Sequence, residues 1–238
     1  MSDIPYLCIL DFEATCDDPK KIANEIIEFP SVLLKWNNKN SKFEEISRFQ
    51  EYCKPLHNVK LTDFCYQLTG ITQKQVDKGS NFPDTLNRHY QWICKHVPEL
   101  KEYPKKLPVL IVTCGHWDMM TMMVDECKRW NITPPSFYRY YINIKTVYQR
   151  VNKHKGGLAS MLKHSRLELL GRHHSGIDDS INTGRLAQSL VEDGYKWSYY
   201  DVIEVSTNDY KISNVQKKQN KYLKDQIAVN NRLKLKLN

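Results

Sequence analysis

The chain has 238 residues, of which 41% are hydrophobic and 26% are charged, and its formal net charge is +8. This length and composition fit one sizeable buried core, and no apolar stretch approaches the roughly 20 residues of a membrane span. Seven cysteines without a CxxC pair argue against a disulfide framework and a zinc ribbon. No signal-peptide pattern precedes the first predicted strand, so we expect an intracellular protein, cytoplasmic, nuclear or both, that makes no membrane contact.

The predicted elements begin with strands and continue with alternating helices and strands. Hydrophobic patterning predicts strands over 6–12, 25–36 and 43–53, helices near 61–67, 73–78 and 82–97, a strand over 108–113, a helix over 118–130, a short strand near 140–144, and helices to about residue 193. This order is typical of an α/β fold with a mixed sheet and helices on its faces. We expect one domain over 1–205 and a basic tail over 206–238.

The first predicted strand ends in two acids. The segment YLCILDFEAT runs through apolar residues to Asp11 and Glu13, and side chains two residues apart on a strand point to the same face. Two carboxylates on one face repel each other unless a divalent cation joins them, and hard oxygen ligands suit Mg²⁺ or Mn²⁺ better than zinc. The alternative is that Asp11 caps a turn and Glu13 is a solvated strand end.

A second acid follows a second buried strand. In LPVLIVTCGHWDMM the apolar run predicts a strand, and Asp118 comes at the turn into the next helix. Acids at this position of an α/β sheet commonly bind metals. The alternative is that Asp118 is an ordinary acid, which the helix dipole favours at the start of a helix. Trp117 is either a core residue or a flat surface on which a base stacks.

The third acidic segment is GRHHSGIDDS, a glycine-bounded turn before a helix. Asp178 or Asp179 lies in the first turn of that helix, and His173 or His174 precedes it. A histidine with a pKa near neutrality is a suitable base for a water held near such acids. Both His–Asp pairs have the same separation, so the residues alone leave both open, and a plain surface histidine is the simpler alternative.

Together, the order Asp-x-Glu, Asp, His-x4-Asp resembles the DEDD exonucleases of the histidine subtype, the superfamily of RNase T and the proofreading exonucleases. The segments LDFEATC, NEIIEFPSVLL, LTDFCYQLTGITQKQVD, GHWDM, YINIK and GIDDS are similar to the Eri-type exoribonucleases, which include the three-prime histone mRNA exonuclease. This similarity covers about residues 5–195. It implies an RNase H-like exonuclease fold with a mixed central sheet flanked by helices.

The resemblance also implies a metal-dependent 3′-to-5′ exonuclease that releases nucleoside 5′-monophosphates. The implied ligands of two Mg²⁺ ions, or of Mn²⁺ in their place, are Asp11, Glu13, Asp118 and Asp179. His174 would be the general base. The family's spacing selects His174 with Asp179 rather than His173 with Asp178.

Substrate contacts are implied by the same resemblance. The residues expected beside the 3′-terminal nucleotide are Phe12, Ala14, Thr15, Leu68, Thr69, Trp117 and Arg172. The backbone from Glu13 to Thr15 would hold the ribose hydroxyls, including the 2′-OH by which a protein distinguishes RNA from DNA. Leu68 is equally well explained as a core residue. The candidates for phosphate contact are Lys145, Lys153, His154, Lys155 and Arg172.

We therefore predict an exoribonuclease that trims single-stranded 3′ ends or overhangs of structured RNA, such as a small interfering RNA, a ribosomal RNA precursor or a stem-loop. One alternative is a DNA 3′-to-5′ exonuclease of the same superfamily, because the chemistry at the metals does not involve the sugar. The other alternative is a nucleic-acid-binding module without catalysis.

Positive charge is concentrated at the C-terminus. Residues 206–238 contain eight Lys or Arg and two Asp, whereas the rest of the chain contains 27 Lys or Arg and 25 acids. This segment is expected to be either an arm that meets phosphates or a solvated terminus.

Overall fold

The computed structural model of the chain describes residues 4–18, 22–102 and 107–205. The strands are β1 (Tyr6–Leu10), β2 (Glu13–Ala14), β3 (Ile26–Asn37), β4 (Lys42–Tyr52), β5 (Val109–Thr113), β6 (Tyr140–Asn143) and β7 (Ile203–Glu204). The α-helices are α1 (Asp63–Thr69), α2 (Gln73–Lys78), α3 (Phe82–His96), α4 (Met123–Arg129), α5 (Ile144–Asn152), α6 (Leu158–His164) and α7 (Gly176–Glu192). Short 3₁₀ turns lie at Pro98–Glu102, Ser136–Arg139 and Tyr199–Asp201, and a π-helical turn lies at Asp118–Met122.

The strands of the described residues form one mixed sheet of seven strands. β1 pairs antiparallel with β3 and parallel with β5, and β5 pairs parallel with β6. β2 and β4 pair with β3, while β7 pairs antiparallel with β6. α7 packs against β1 and β3. The predicted α/β class, a mixed central sheet flanked by helices, is confirmed.

The two central strands direct their carboxyl ends to the same edge of the sheet. Every residue of β1 and β5 is buried, as expected for strands covered on both faces. They run parallel, with Tyr6 opposite Val109 and Ile9 opposite Val112. The chain segments that leave these two strands, one carrying Asp11 and the other ending at the π-helical turn, therefore emerge side by side.

The first predicted strand is shorter than expected. It ends at Leu10, and Glu13 belongs to β2, whose pairing with β3 contains a register shift between Glu13 and Ala14. The prediction that Asp11 and Glu13 share one face of a single strand is therefore wrong. The chain turns out of β1 at this point because the backbone N–H of Phe12 donates a hydrogen bond to Asp118 rather than continuing the sheet.

The helix predicted over 118–130 also begins differently. Its first turn is π-helical, with the Met123 backbone N–H donating to the Asp118 carbonyl, and α4 follows from Met123. Turns of this kind occur frequently at functional sites. The π-helical turn thus begins at Asp118, which is a predicted metal ligand.

Two further expectations concern the C-terminal tail and membrane contact. The predicted basic tail over 206–238 lies outside the described residues. Among the helices that the structure describes, none combines the length and the apolar character needed to cross a bilayer.

Candidate active site

The four predicted acids come together at the carboxyl edge of the sheet. Asp11, Glu13 and Asp179 each present a carboxylate oxygen, and these atoms lie within 4.8 Å of one another. The carboxylate of Asp118 stands beside them, where its Oδ1 accepts the hydrogen bond from the Phe12 amide at 2.9 Å. The end of β1, strand β2, the π-helical turn and the first turn of α7 therefore contribute one acid each. We call this group the carboxylate cluster.

The cluster is electrostatically unfavourable without a cation. Burial raises the pKa of Asp11 well above its ordinary value, and the charges of Asp118 and Glu13 raise it further. Burial raises the pKa of Glu13 to about 9, with the charges of Glu28 and Asp179 adding to the effect. Burial also raises the pKa of Asp118 to about 6, although a backbone hydrogen bond opposes this shift. The fold thus brings carboxylates together against their mutual repulsion.

This donor set fits divalent cations. Carboxylate oxygens are the ligands that Mg²⁺ and Mn²⁺ prefer in proteins. A bound cation would relieve the repulsion that raises the pKa values of the cluster. The chemistry of the residues therefore fits a metal site, as the sequence predicted.

We expect the metal-free protein to lose stability as the pH rises from about 5 to 9. A carboxyl whose pKa is raised on folding contributes stability below its unfolded pKa, and this contribution is lost as the pH rises through the folded pKa. The folded pKa is about 6 for Asp118 and about 9 for Glu13. Thermal unfolding in EDTA across this range measures the effect, and added Mg²⁺ is expected to raise the melting temperature more at pH 9 than at pH 5. A metal-free melting temperature that rises with pH would contradict the prediction.

Two histidines lie beside Asp179. The ring Nδ1 of His173 is 3.0 Å from Asp179 Oδ2, and the backbone N–H of His174 donates to the same oxygen at 2.9 Å. The two imidazoles stack with their centroids 4.1 Å apart, and His174 adopts a left-handed backbone with φ of 64°. The turn thus holds both rings next to the carboxylate cluster.

The two rings differ in their bonding. His173 is held by Asp179, whereas no other described residue forms a hydrogen bond with the His174 ring. Burial lowers the pKa of His174, and the neighbouring His173 lowers it further. Near neutral pH the His174 ring is therefore neutral and able to accept a proton. Its role as general base stays a prediction.

The structure distinguishes Asp178 from Asp179, either of which could be the acid of the site from the sequence alone. Asp179 is buried in the carboxylate cluster, whereas Asp178 accepts a hydrogen bond from the Arg172 backbone N–H at 2.9 Å. Asp178 therefore closes the turn that precedes α7. Of the two candidates, Asp179 is the one whose carboxylate faces Asp11 and Glu13.

The predicted substrate contacts divide into exposed and buried groups. Trp117 is 41% exposed directly before Asp118, and Leu68 is half-buried at the end of α1. The side chains that are buried are those of Phe12, Ala14, Thr15 and Thr69. Trp117 is thus the one large aromatic surface that the predicted set presents to solvent. The role of each residue in substrate contact stays a prediction.

The buried residues are already bonded within the protein. The Thr15 backbone N–H donates to the Glu25 carbonyl at 2.8 Å, and its hydroxyl accepts from the Glu25 N–H at 3.0 Å. The Thr69 hydroxyl donates to the Cys65 carbonyl, while the ring of Phe12 packs edge-on against Phe29. These side chains are thus held by contacts within the protein.

Arg172 joins the histidine turn to α1. Its guanidinium donates to the carbonyls of Gln67 and Leu68. The guanidinium passes over Gly70, the residue that ends α1 with a left-handed φ of 75°. A Cβ added at Gly70 would lie 1.7 Å from Arg172 Nη1. Contact with a phosphate, as predicted, would require these two hydrogen bonds to be exchanged.

Two more charged residues lie near the cluster, and one of them, Glu28, was not among the predicted site residues. Glu28 of β3 is 2% exposed, and its charge is the largest electrostatic cause of the raised Glu13 pKa after burial. Lys145, at the start of α5, opposes the raised pKa of Asp118 with its positive charge. The signal for Glu28 was an acid inside the buried strand of NEIIEFPSVLL, the same kind of signal that singled out Asp11.

Comparisons with known proteins agree with this geometry. The RNase T family model, described as Exonuclease, matches residues 8–187. The 3'-5' exoribonuclease 1 of Homo sapiens is 39% identical over 194 residues, which cover 79% of this chain and 53% of the human protein. The chain spans about half the length of the curated relatives it matches.

Solved structures show the same relationship. The nuclease domain of 3'hExo, a DEDDh family member bound to rAMP, is 36% identical with a TM-score of 0.75, covering 86% of this chain and 99% of that domain. A 3'-exonuclease structure described as 3'-end specific recognition of histone mRNA stem-loop is 34% identical with a TM-score of 0.73, covering 87% of this chain and 93% of that one.

Proposed function

The chain belongs to the RNase T family of exonucleases, in its DEDDh branch, and on this basis we propose that it is a 3′-to-5′ exoribonuclease. The observation that carries the proposal is the carboxylate cluster with two histidines beside Asp179. Such a site suits hydrolysis of a phosphodiester, whose negative charge must be neutralised in the transition state. The product would be a nucleoside 5′-monophosphate released from the 3′ end.

The DEDDh family is metal-dependent, and we propose Mg²⁺, as two ions, for this protein. The residues that would hold them are Asp11, Glu13, Asp118 and Asp179. When bound, the ions would supply positive charge at the scissile phosphate and lower the pKa of water. Mn²⁺ prefers the same oxygen ligands and would substitute.

The chain's own side chains would then position the reactants and move one proton. His174, neutral near pH 7, would accept the proton of the attacking water. Lys145 lies close enough to Asp118 to affect its pKa and would add positive charge at the same edge. Trp117, exposed beside the cluster, would stack on the terminal base without regard to its identity.

The proposed substrate is structured RNA with a short single-stranded 3′ end. This follows from the relatives: one is named an exoribonuclease, one was solved with rAMP, and another is described by its recognition of a histone mRNA stem-loop. Small interfering RNA, ribosomal RNA precursors and stem-loop RNA all offer such ends. The alternative of a DNA exonuclease rests on the same site, because none of the clustered acids needs to contact the sugar.

The test uses a 5′-labelled RNA duplex with a 3′ overhang, a matched DNA duplex, Mg²⁺ and EDTA. We expect Mg²⁺-dependent shortening from the 3′ end that is slower on DNA. Faster shortening of DNA would favour the DNA exonuclease. Binding without shortening of either duplex would make the protein a binding module.

The basic segment 206–238 is proposed to add affinity for RNA. Its eight Lys or Arg give it most of the excess positive charge of the chain. Each phosphate neutralised by a Lys or Arg releases counterions and steepens the salt dependence of binding. Deleting 206–238 is therefore expected to weaken RNA binding at low salt and to flatten the plot of log affinity against log salt, as measured by fluorescence anisotropy. An unchanged affinity and slope would contradict the proposal.

We also propose an intracellular location, cytoplasmic, nuclear or both. All seven cysteines lie in the described residues and are free thiols. Free thiols are typical of proteins in reducing compartments. Fractionation of cells that express a tagged full-length chain would test this, and recovery from the medium would contradict it.

A further inference from the structure

Glu28 is a buried carboxylate, and each of its two oxygens accepts a hydrogen bond. Its Oε1 accepts from Gln50 Nε2 at 2.7 Å, and its Oε2 accepts from the Gly176 backbone N–H at 3.2 Å. The Ile177 backbone N–H lies near enough to lower the pKa of this carboxylate. Glu28, on strand β3, thus bonds to the first residue of α7.

The start of α7 needs such a partner. The first N–H groups of any helix have no partner within the helix, and a side chain at the N-cap position usually accepts from one of them. Ser175, at the N-cap position of α7, makes no such bond. A carboxylate at a helix N-terminus is also favoured by the helix dipole. Glu28 therefore takes the place of the missing cap, although it is distant in sequence.

The start of α7 also lies against the carboxylate cluster. Gly176 sits so close that an added Cβ would be 2.5 Å from the Asp11 carbonyl oxygen and 2.7 Å from Pro30 Cγ. Glu28 is the register partner of Glu13 in the pairing of β3 with β2. One residue thus lies opposite Glu13 on the sheet and bonds to the helix turn that carries Asp179.

We propose that Glu28 is a positioning residue that caps α7 and sets the distance between Asp179 and the other acids of the carboxylate cluster. The proposed effect of Glu28 on the reaction rests on the proposed exonuclease function, whereas its proposed effect on cation binding does not. Glu28 is not itself a metal ligand in this proposal, because its two oxygens already accept hydrogen bonds from Gln50 and from the Gly176 backbone N–H. Removing a residue that orients metal ligands typically weakens metal affinity or activity by 10- to 100-fold.

The test compares Glu28→Ala, Glu28→Gln and Glu28→Asp in the full chain. Mn²⁺ binding is measured by electron paramagnetic resonance without RNA, and kcat and KM are measured with the overhang duplex. We expect Glu28→Ala and Glu28→Asp to weaken Mn²⁺ binding about tenfold and to lower kcat by roughly 10- to 100-fold, with KM changed by less than about threefold. Aspartate keeps the charge but is too short to reach Gly176. Glutamine keeps the length and an acceptor oxygen, so it is expected to stay within about threefold of the wild type.

Glu44→Ala is the control, because Glu44 is an exposed acid of β4 whose carboxylate accepts hydrogen bonds from Asn37 and Asn40, and this variant is expected to bind Mn²⁺ as the wild type does. If Glu28→Ala does not fold, as judged by circular dichroism, the contrast between glutamine and aspartate decides. Wild-type Mn²⁺ binding in Glu28→Asp would overturn the proposal. A defect in Glu28→Gln as large as in Glu28→Asp would also overturn it, because an acceptor oxygen at the right distance from α7 would then not be sufficient. Wild-type protein that binds Mn²⁺ but leaves RNA intact would refute the nuclease function alone.

Discussion

Asp11→Asn is expected to lower the rate of RNA cleavage at least about 10³-fold while raising the melting temperature of the metal-free protein. The loss of rate follows because a metal contributes several kcal/mol of charge stabilisation in such a transition state, and each 1.4 kcal/mol is a factor of ten. The gain in stability follows because asparagine has nearly the same shape and removes a carboxyl whose charged form is disfavoured by burial and by the charges of Asp118 and Glu13. Single-turnover cleavage and thermal unfolding in EDTA at pH 8 measure the two effects.

A lower cleavage rate together with a higher melting temperature would distinguish the loss of a metal ligand from damage to the fold. Asp18→Asn is the matched control, since Asp18 is an exposed acid seven residues further along the chain, and both quantities should stay near wild type. We also expect Mg²⁺ to raise the melting temperature of Asp11→Asn less than that of the wild type. A variant that melts lower in EDTA and still cleaves RNA would show that Asp11 is a structural acid.

His174→Ala is expected to lower kcat by roughly 10²- to 10⁴-fold, the range for loss of a general base. His173→Ala, a neighbour on the same turn, is the matched comparison. Its ring bonds to Asp179, so we expect its loss to disturb that carboxylate and to lower kcat by about tenfold, as for other residues that orient metal ligands. Single-turnover rates at saturating Mg²⁺ separate the two. A larger defect in His173→Ala would assign the base to His173 instead.

The pH dependence provides an independent measurement of the same base. Because burial and the neighbouring His173 lower the pKa of His174, it becomes protonated only at more acidic pH than an ordinary histidine. The rate should therefore fall on the acid side with a midpoint below pH 6.5, and this fall should be absent from the residual activity of His174→Ala. A midpoint well above 7 would point to another group.

The sequence was informative where the chemistry depends on one segment at a time. Apolar runs predicted the two central strands, and the acids Asp11 and Asp118 were expected to be gathered in one site. That prediction holds because parallel neighbours place their carboxyl ends together. The glycine-bounded turn predicted the start of α7 with Asp178 or Asp179 in its first turn, and the resemblance to the exonucleases selected Asp179.

Features that depend on contacts between distant segments were not predictable. The hydrogen bond from the Phe12 amide to Asp118 turns the chain out of β1, so the simple alternation expected for Asp11 and Glu13 does not occur. The role of Glu28 at the start of α7 was hidden for the same reason, because its partner is 148 residues away along the chain. The bonding of Arg172 to α1 was likewise not predicted, because its guanidinium donates to the carbonyls of Gln67 and Leu68, about 100 residues earlier in the chain.

The order in which the ribosome makes the chain has a consequence for the carboxylate cluster. Asp11 is made first, Asp118 follows with the end of β5, and Asp179 comes last, on a helix that packs against both β1 and β3. A polypeptide that stops before this helix, through premature termination or because translation is still in progress, lacks one acid and the turn with both histidines. Incomplete chains would thus be inert toward RNA, including the message from which they are being translated.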